Sequence, residues 1–257
     1  MEATGMKAVI IGAGNVATNL AHALLAAGID VAQVYSHTMA HAEELAAKVK
    51  AAATANLADI TADADIYIIS VKDDAIADVA NAVPDNGALW VHTSGSVPMT
   101  VLETSHCRCG VFYPMQSFSK QTLTDFHEVP FFIEGNSENT AAEIETVASK
   151  LSHRVFRASS EQRKQLHIAA VFACNFANHM WTLASDVLNK AGLPFDVMLP
   201  LITTTADKLK LLTPAESQTG PAIRHDHHVM QSHEAMLDDN MRTIYHILSQ
   251  NIMKRHE

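Results

Sequence analysis

The chain has 257 residues and a formal net charge of −10 at pH 7, with a sequence pI near 5.8. This acidic balance argues against a nucleic-acid-binding surface, and no run of lysine and arginine contradicts it. No apolar stretch is long enough to cross a bilayer, and we expect no signal peptide. The three cysteines form neither a Cys-x-x-Cys motif nor a disulfide framework. We therefore expect a cytoplasmic protein with no membrane and no nucleic-acid partner.

The most informative segment is residues 8–17, which read Ala-Val-Ile-Ile-Gly-Ala-Gly-Asn-Val-Ala. This pattern predicts a short strand, a Gly-x-Gly-x-x-Ala turn and the start of a helix. Gly12 lets the chain turn out of the strand, and Gly14 leaves room for a pyrophosphate. The free N–H groups of the first helical turn, at Asn15 and Val16, would face the phosphates. At the start of a βα unit the motif predicts a dinucleotide site, the alternative being a tight turn without a ligand.

The first half of the chain then alternates between strand and helix patterns. Strands are predicted at 30–35, 65–71, 88–92, 109–113, 130–134 and 154–157, and helices at 40–49, 73–83 and 138–151. The run 65–71 is continuously apolar, which is typical of a parallel strand that is buried on both faces. The sequence therefore predicts a doubly wound Rossmann sheet of the α/β class.

From about residue 159 onward only helical patterns occur. They predict helices at 162–190, 196–212, from 213 with a capping box, at 221–237 and at 239–253. The predicted domains are thus 1–158, which binds the nucleotide, and 159–257, which is all-helical. The helix 162–190 carries a broad apolar face, and this favours a homodimer that buries it. The alternative is the central helix of a monomeric bundle.

The end of the second predicted strand indicates which nucleotide binds. NAD-specific sites place a carboxylate there, but this chain has Ser36, His37 and Thr38. The hydroxyl groups can donate hydrogen bonds to a 2′-phosphate, and the imidazole can add a donor or a positive charge. NADP, as NADPH, is therefore the predicted cofactor. The alternative is an ordinary polar loop.

Seven sequence blocks stand out: Gly12–Ala17, Ser36–Thr38, Ser70–Ile76, His92–Ser96, Tyr113–Ser119, His167–Phe176 and Thr219–Arg224. The first four are similar to successive blocks of pyrroline-5-carboxylate reductase-like proteins and deazaflavin-dependent NADP oxidoreductases. The last three resemble the pattern of a bacterial family of NADP oxidoreductases whose C-terminal half is a helical domain of unknown function, and this family is the closer resemblance. The resemblance covers nearly the whole chain, and it implies a fold and a cofactor but no particular substrate.

The resemblance also implies roles for individual residues of the first half. Val71 and Lys72 would pass under the ribose and pyrophosphate of the cofactor, although Lys72 could instead point to solvent. Ser94 and Ser96 would leave room for the nicotinamide ring and donate to a substrate oxygen. Gln116 would line the same cleft. An ordinary polar loop remains the alternative for the serines.

The predicted helix 162–190 holds the main catalytic candidates. In the related β-hydroxyacid dehydrogenases and ketopantoate reductases, this helix presents a lysine and then asparagines to the substrate. Here His167 stands where the lysine is expected, and Asn175 lies eight residues further on. His167 would supply a proton and Asn175 would orient the substrate. The replacement of lysine by histidine departs from the family pattern, and a structural histidine is the alternative.

The second half also contains a charged and histidine-rich run. Arg224 can anchor a carboxylate or phosphate of the substrate, the alternative being a salt bridge. His225 and His228 could share a helix face, but they lack converging partners, and we predict no metal site. The overall prediction is hydride transfer between nicotinamide and a small carbonyl, hydroxy-acid or imine substrate. The alternative is a non-catalytic dinucleotide sensor or interaction protein.

Overall fold

The computed structural model describes residues 5–256, and its first part is built around an eight-stranded sheet. The strands are β1 (Lys7–Ile11), β2 (Asp30–Tyr35), β3 (Ala52–Thr54), β4 (Ile66–Ile69), β5 (Leu89–His92), β6 (Cys109–Pro114), β7 (Phe131–Gly135) and β8 (Val155–Arg157). Their order in the sheet is β3-β2-β1-β4-β5-β6-β7-β8. All neighbours are parallel except β6 and β7, which are antiparallel. The doubly wound α/β prediction is confirmed.

Ten helices are found in the described part of the chain. They are α1 (Asn15–Ala26), α2 (Met39–Val49), α3 (Ile76–Ala82), α4 (Thr100–Glu103), α5 (Glu138–Leu151), α6 (Ser160–Ala170), α7 (Ala177–Lys190), α8 (Leu199–Lys208), α9 (His227–Ala235) and α10 (Asp239–Arg255). A π-helical stretch, Val171–Phe176, lies between α6 and α7 in the chain. No helix within residues 5–256 is long and apolar enough to span a membrane.

The sheet is covered on both faces, as an apolar parallel sheet requires. In β1, Ala8 and Ile10 belong to one buried cluster, whereas Val9 and Ile11 belong to another. This division follows the alternation of side chains along a strand. Because strands β1 to β6 are parallel, their carboxyl ends meet at one edge of the sheet, where ligands of open α/β sheets bind.

Most predicted elements of the first half are confirmed, two of them with identical bounds. Strand β2 spans 30–35 and helix α5 spans 138–151, as predicted. The short strand β3 was not predicted, because three residues of Ala-Ala-Thr carry almost no strand signal. The helix predicted at 73–83 is a 3-10 turn, Asp73–Ala75, followed by α3.

Three predictions in the second half are wrong. The capping-box bonds between Thr213 and Glu216 form, but they close a single turn and no helix follows. The helix predicted from Pro221 begins only at His227. His225 adopts a left-handed φ of 52°, which interrupts any helix before it. The helix predicted at 196–212 is a 3-10 turn, Phe195–Met198, followed by α8, which ends at Lys208.

The chain divides into two compact units, of which the first ends at Cys174 and the second begins at Asn175. The strand patterns end earlier, because no strand follows Arg157 in the described residues. The boundary predicted near residue 158 therefore marks the change in secondary structure. Its meaning as a division between two functional domains stays a prediction. The second unit has a small core cluster of its own, made by Ala222, Met230 and Met253 with Tyr245 and Ile252.

Candidate active site

A cleft of about 1050 Å³ opens at the carboxyl ends of β1, β2, β4, β5 and β6, within the first unit. It is lined by thirteen of the predicted site residues: Gly12, Gly14, Asn15, Val16, Ser36, His37, Thr38, Val71, Lys72, Ser94, Ser96, Gln116 and His167. These residues come from six separate parts of the chain. The structure brings them together because successive parallel strands end at the same edge of the sheet.

The glycine turn after β1 shapes one wall of this cleft. Gly12 has a φ of 132°, and a Cβ there would lie 2.1 Å from the backbone oxygen of Ser70. Only glycine fits this position. Gly14 is different, since a Cβ there would meet nothing within 4 Å, and its φ of −81° suits any residue. Gly14 is also the N-cap of α1, where no side chain caps the first turn. The free N–H groups of that turn can donate hydrogen bonds to a phosphate.

The end of β2 and the start of α2 form the next part of the wall. Ser36 is half-buried, whereas His37 and Thr38 are exposed. Thr38 is the N-cap of α2, but its hydroxyl makes no capping hydrogen bond. His41, in the first turn of α2, lines the cleft as well. This second imidazole was missed in the sequence because it lies inside a predicted helix, where most polar residues face solvent.

The loop after β5 holds Ser94 in a defined orientation. The Ser94 Oγ accepts hydrogen bonds from the N–H groups of Ser96 and Val97, both at 3.0 Å. A hydroxyl oxygen has two acceptor sites and one hydrogen. Because both acceptor sites are used, the hydroxyl is left to act as a hydrogen-bond donor toward the cleft. This arrangement agrees with the donor role predicted for Ser94.

A buried histidine at the end of β5 also holds this loop in place. His92 is fully buried, and its Nδ1 accepts from the N–H of Ser94 at 3.2 Å. Burial and the nearby charge of Arg163 lower the pKa of His92 to about 3. His92 therefore stays neutral at physiological pH and serves to hold the loop.

Tyr113, Gly95 and His167 meet at the β6 side of the cleft. A Cβ at Gly95 would lie 2.8 Å from Tyr113 Cζ and 3.1 Å from His167 Nδ1, so both rings pack directly against the glycine. The His167 Nδ1 is buried and has no hydrogen-bond partner in the described residues. Burial raises the pKa of Tyr113, against the smaller opposing effect of the Arg163 charge. Tyr113 consequently remains a neutral donor.

Arg163 lies one helical turn before His167 and is fully buried. Its Nη2 donates to Glu134 Oε2 at 2.8 Å and to Ser160 Oγ at 2.9 Å, and its Nη1 donates to the Val97 carbonyl at 3.2 Å. The guanidinium thus joins β7, the loop after β5 and helix α6. Sequence reasoning missed it because Glu134 and Arg163 are distant in the chain, and an arginine is rarely fully buried unless it is paired.

Two predicted site residues lie outside the first unit. Asn175 and Arg224 belong to the second unit, and both are exposed. Asn175 lies in the π-helical stretch, so the regular rotation of an α-helix does not relate the side chains of His167 and Asn175. Arg224 lies in a turn and not at a helix start. Both assignments stay predictions. Within residues 5–256, no group of three or more histidine, cysteine, aspartate or glutamate residues is arranged to hold a metal ion.

The fold and the cleft define a Rossmann-type dinucleotide-binding protein, and comparisons with known proteins narrow the class. Residues 7–93 match a family model described as NADP oxidoreductase coenzyme F420-dependent. Residues 129–252 match a domain of unknown function, DUF2520. Among curated proteins, none is similar enough to match the chain.

Three solved structures illustrate the likeness. A Bacteroides fragilis protein described as "putative NADP oxidoreductase BF3122" is 51% identical, with a TM-score of 0.93 over 97% of this chain and 98% of that one. The 1-pyrroline-5-carboxylate reductase of Streptococcus pyogenes is 13% identical, with a TM-score of 0.69 over 97% and 99%. An imine reductase of Myxococcus stipitatus in complex with NADP+ is 17% identical, with a TM-score of 0.63 over 96% and 92%. The last two share the fold.

The chain belongs to the NADP oxidoreductase family of the Bacteroides fragilis protein. The family and the NADP cofactor predicted from the sequence are thereby confirmed. The cleft residues fit this cofactor, since Gly14 leaves open space at the N-terminus of α1 and no carboxylate follows β2.

Two glycine substitutions separate folding from cofactor binding. Gly12→Ala is expected to lower the free energy of unfolding by about 3 kcal/mol or more, because the new methyl meets a backbone oxygen at a positive φ. Gly14→Ala is expected to lower the free energy of unfolding by at most about 1 kcal/mol, because alanine is a poorer N-cap residue than glycine but meets no atom there. It should nevertheless weaken NADPH binding, since the methyl enters the cleft. Urea denaturation and fluorescence titration measure the two effects. Normal stability of Gly12→Ala, or normal NADPH affinity of Gly14→Ala, would contradict this account.

Proposed function

We propose that the protein is an NADPH-dependent reductase that acts on the C=N or C=O bond of a small substrate. The observation that carries this proposal is the group formed by Ser94, Tyr113 and His167 around Gly95. This group lies toward β5 and β6, whereas the residues suited to the adenosine end of the cofactor follow β2. A dinucleotide extended across the strand ends would bring its nicotinamide to this group.

The roles of the side chains follow from their hydrogen-bonding capacity. NADPH, when bound, supplies a hydride to the carbon of the double bond. Ser94 and Tyr113 donate hydrogen bonds to the substrate nitrogen or oxygen, and His167 delivers the proton that this atom needs. The product gains one hydride on carbon and one proton on the heteroatom, which balances a two-electron reduction. Gly95 allows the two rings to approach the substrate.

We keep the substrate-binding roles predicted for the two exposed residues of the second unit as proposals. Asn175 would orient the substrate, and Arg224 would hold a carboxylate or phosphate group through its fork of donors. The second unit is rich in exposed apolar side chains, and this supports a homodimer in which a second copy covers them. The three cysteines are free, which suits a cytoplasmic enzyme.

The test of the reaction uses a panel of probes: a cyclic pyrroline, cyclohexanone alone and cyclohexanone with an amine. We expect oxidation of NADPH with at least one probe. His167→Ala should lower kcat by about 100-fold, the usual contribution of a positioned general acid, while NADPH affinity is unchanged. Tyr113→Phe should lower kcat/KM by about ten-fold, which corresponds to one lost hydrogen bond to the substrate. His153→Ala, at an exposed histidine of the same unit, is the matched control.

Two results would overturn the catalytic proposal. Normal turnover of His167→Ala would make His167 a packing residue. Tight NADPH binding without turnover of any carbonyl or imine, in the wild-type protein, would favour a dinucleotide sensor.

A separate observation in the second unit supports the proposed homodimer. Helices α7 and α8 have no buried residue, and Leu201 and Leu211 are 62% and 89% exposed. An apolar groove of about 180 Å³ between α7 and α10 is lined by Met180, Leu183, Ala184, Val187, Leu237, Met241, Ile244, Tyr245 and Leu248. A surface this apolar is unusual in a monomer, and a self-complementary contact is the commonest way to cover it.

Light scattering tests the assembly. We expect a mass near twice the 27.9 kDa of one chain. Leu201→Glu should shift the equilibrium toward the monomer, because a carboxylate would enter an apolar contact. Leu25→Glu, at an exposed leucine of the first unit, should leave the mass unchanged. A wild-type mass near one chain at micromolar concentration would contradict the proposal.

A further inference from the structure

The loop between β6 and β7 brings a lysine to the cofactor cleft. Lys120 is half-buried and lines the same cleft as Ser36, His37 and Thr38. It follows β6, which is four places away from β2 in the sheet. No motif connects it to the nucleotide site, so its position is visible only in the folded chain.

Lys120 lies near α2, the helix that begins directly after Ser36, His37 and Thr38. The pKa of Glu44 on α2 is lowered, mainly by its hydrogen bond with Lys48 and further by the charges of Lys120 and His41. Lys48 Nζ lies 2.8 Å from Glu44 Oε1. Glu44 already has this close cationic partner, whereas Lys120 makes no ion pair with any described residue. The charge of Lys120 is therefore available to an anion in the cleft.

Asn19 on α1 fixes the loop on both sides of Lys120. This asparagine is 2% exposed, and its Nδ2 donates to the Ser119 carbonyl at 2.9 Å. Its Oδ1 accepts from the N–H of Thr124, also at 2.9 Å. A second bond from Nδ2, to the Asn15 carbonyl, holds the amide in place. The loop is thus attached to the helix whose N-terminus faces the cleft, and Lys120 loses less freedom when it binds a ligand.

We infer that Lys120 recognises the 2′-phosphate of NADPH and that Asn19 is its positioning residue. The inference rests on the proposed binding of NADPH in this cleft. A lysine ammonium supplies a point charge to a phosphate, and Ser36 and Thr38 add hydroxyl donors from the other side. The preference for NADPH over NADH then comes from a residue outside the β2–α2 loop, in addition to the loop itself.

Fluorescence titrations of the full chain with NADPH and with NADH test this inference. Lys120→Gln should raise the Kd for NADPH by about ten-fold or more, the equivalent of one charge-assisted hydrogen bond, and change the Kd for NADH by less than about two-fold. Lys120→Arg should retain most of the preference. Lys150→Gln, which removes the same charge from the exposed face of α5, is the matched control and should change neither Kd.

Asn19→Ala tests the positioning role. It should reduce the ratio of the two affinities in the same direction as Lys120→Gln, which a general loss of stability would not do. In the double variant the second change should add little, because both act through the same contact. If Asn19→Ala fails to fold, Lys120→Gln and Lys120→Arg alone decide the outcome.

The results separate this inference from the proposed function. A wild-type protein that binds neither nucleotide contradicts the proposed function itself. A wild-type preference for NADPH that survives in Lys120→Gln overturns the inference, while the proposed function stands. Equal weakening of NADPH and NADH in Lys120→Gln overturns it too, because Lys120 would then contact the pyrophosphate that both nucleotides share.

Discussion

The close approach of Gly12 to the Ser70 carbonyl is the constraint on which the cleft depends. Strands β1 and β4 are neighbours in the sheet, and their last residues, Ile11 and Ile69, lie opposite each other. Any side chain at Gly12 would push these two ends apart. Because the glycine allows them to meet, the first turn of α1 and the loop Ser70–Asp73 face the same space. The residues that line the cleft on either side inherit their positions from this contact.

The β5–β6 end of the cleft lies beside a buried ion pair. Arg163 and Glu134 form an ion pair in which the arginine is fully buried, so removal of either partner would leave an uncompensated charge. The pair adds little to stability by itself, but it ties the Val97 carbonyl and helix α6 into one arrangement. The loop and the helix joined in this way carry Gly95 and His167, which lie against each other. The charge also disfavours protonation of His92, and this preserves the bond that orients Ser94.

The parts of the structure that were predicted from the sequence are those encoded by local patterns. The glycine turn, the buried strands and helix α5 follow from short-range periodicity, and thirteen of the fifteen predicted site residues line one cleft. Tyr113, Lys120 and Arg163 could not be assigned in this way, because their roles depend on contacts across many tens of residues. The sequence alone does not distinguish an arginine that is buried in packing from a lysine that lines a site or from either residue on the surface.

Prediction also failed at Thr213, where the capping-box hydrogen bonds form but no helix follows. Capping lowers the cost of starting a helix, but it does not supply the apolar face that stabilises the helix.

The two ends of the cleft differ in how far their side chains are exposed to water, and this suits the different roles that we propose for them. In the proposed function, the adenosine end recognises a phosphate while its partners stay partly in water, and the hydroxyls of Ser36 and Thr38 with the anchored Lys120 suit that task. At the β5–β6 end the proposed reaction needs fixed donors and little water, and buried groups such as His92 and Arg163 would supply rigidity without lining the cleft. Removal of Arg163 would leave Glu134 without its ion-pair partner, and removal of His92 would free the N–H of Ser94, so changes there are expected to be costly. The half-buried Ser36 and the exposed Thr38 should tolerate change more readily, so we expect the cofactor preference to be easier to alter than the proposed chemistry.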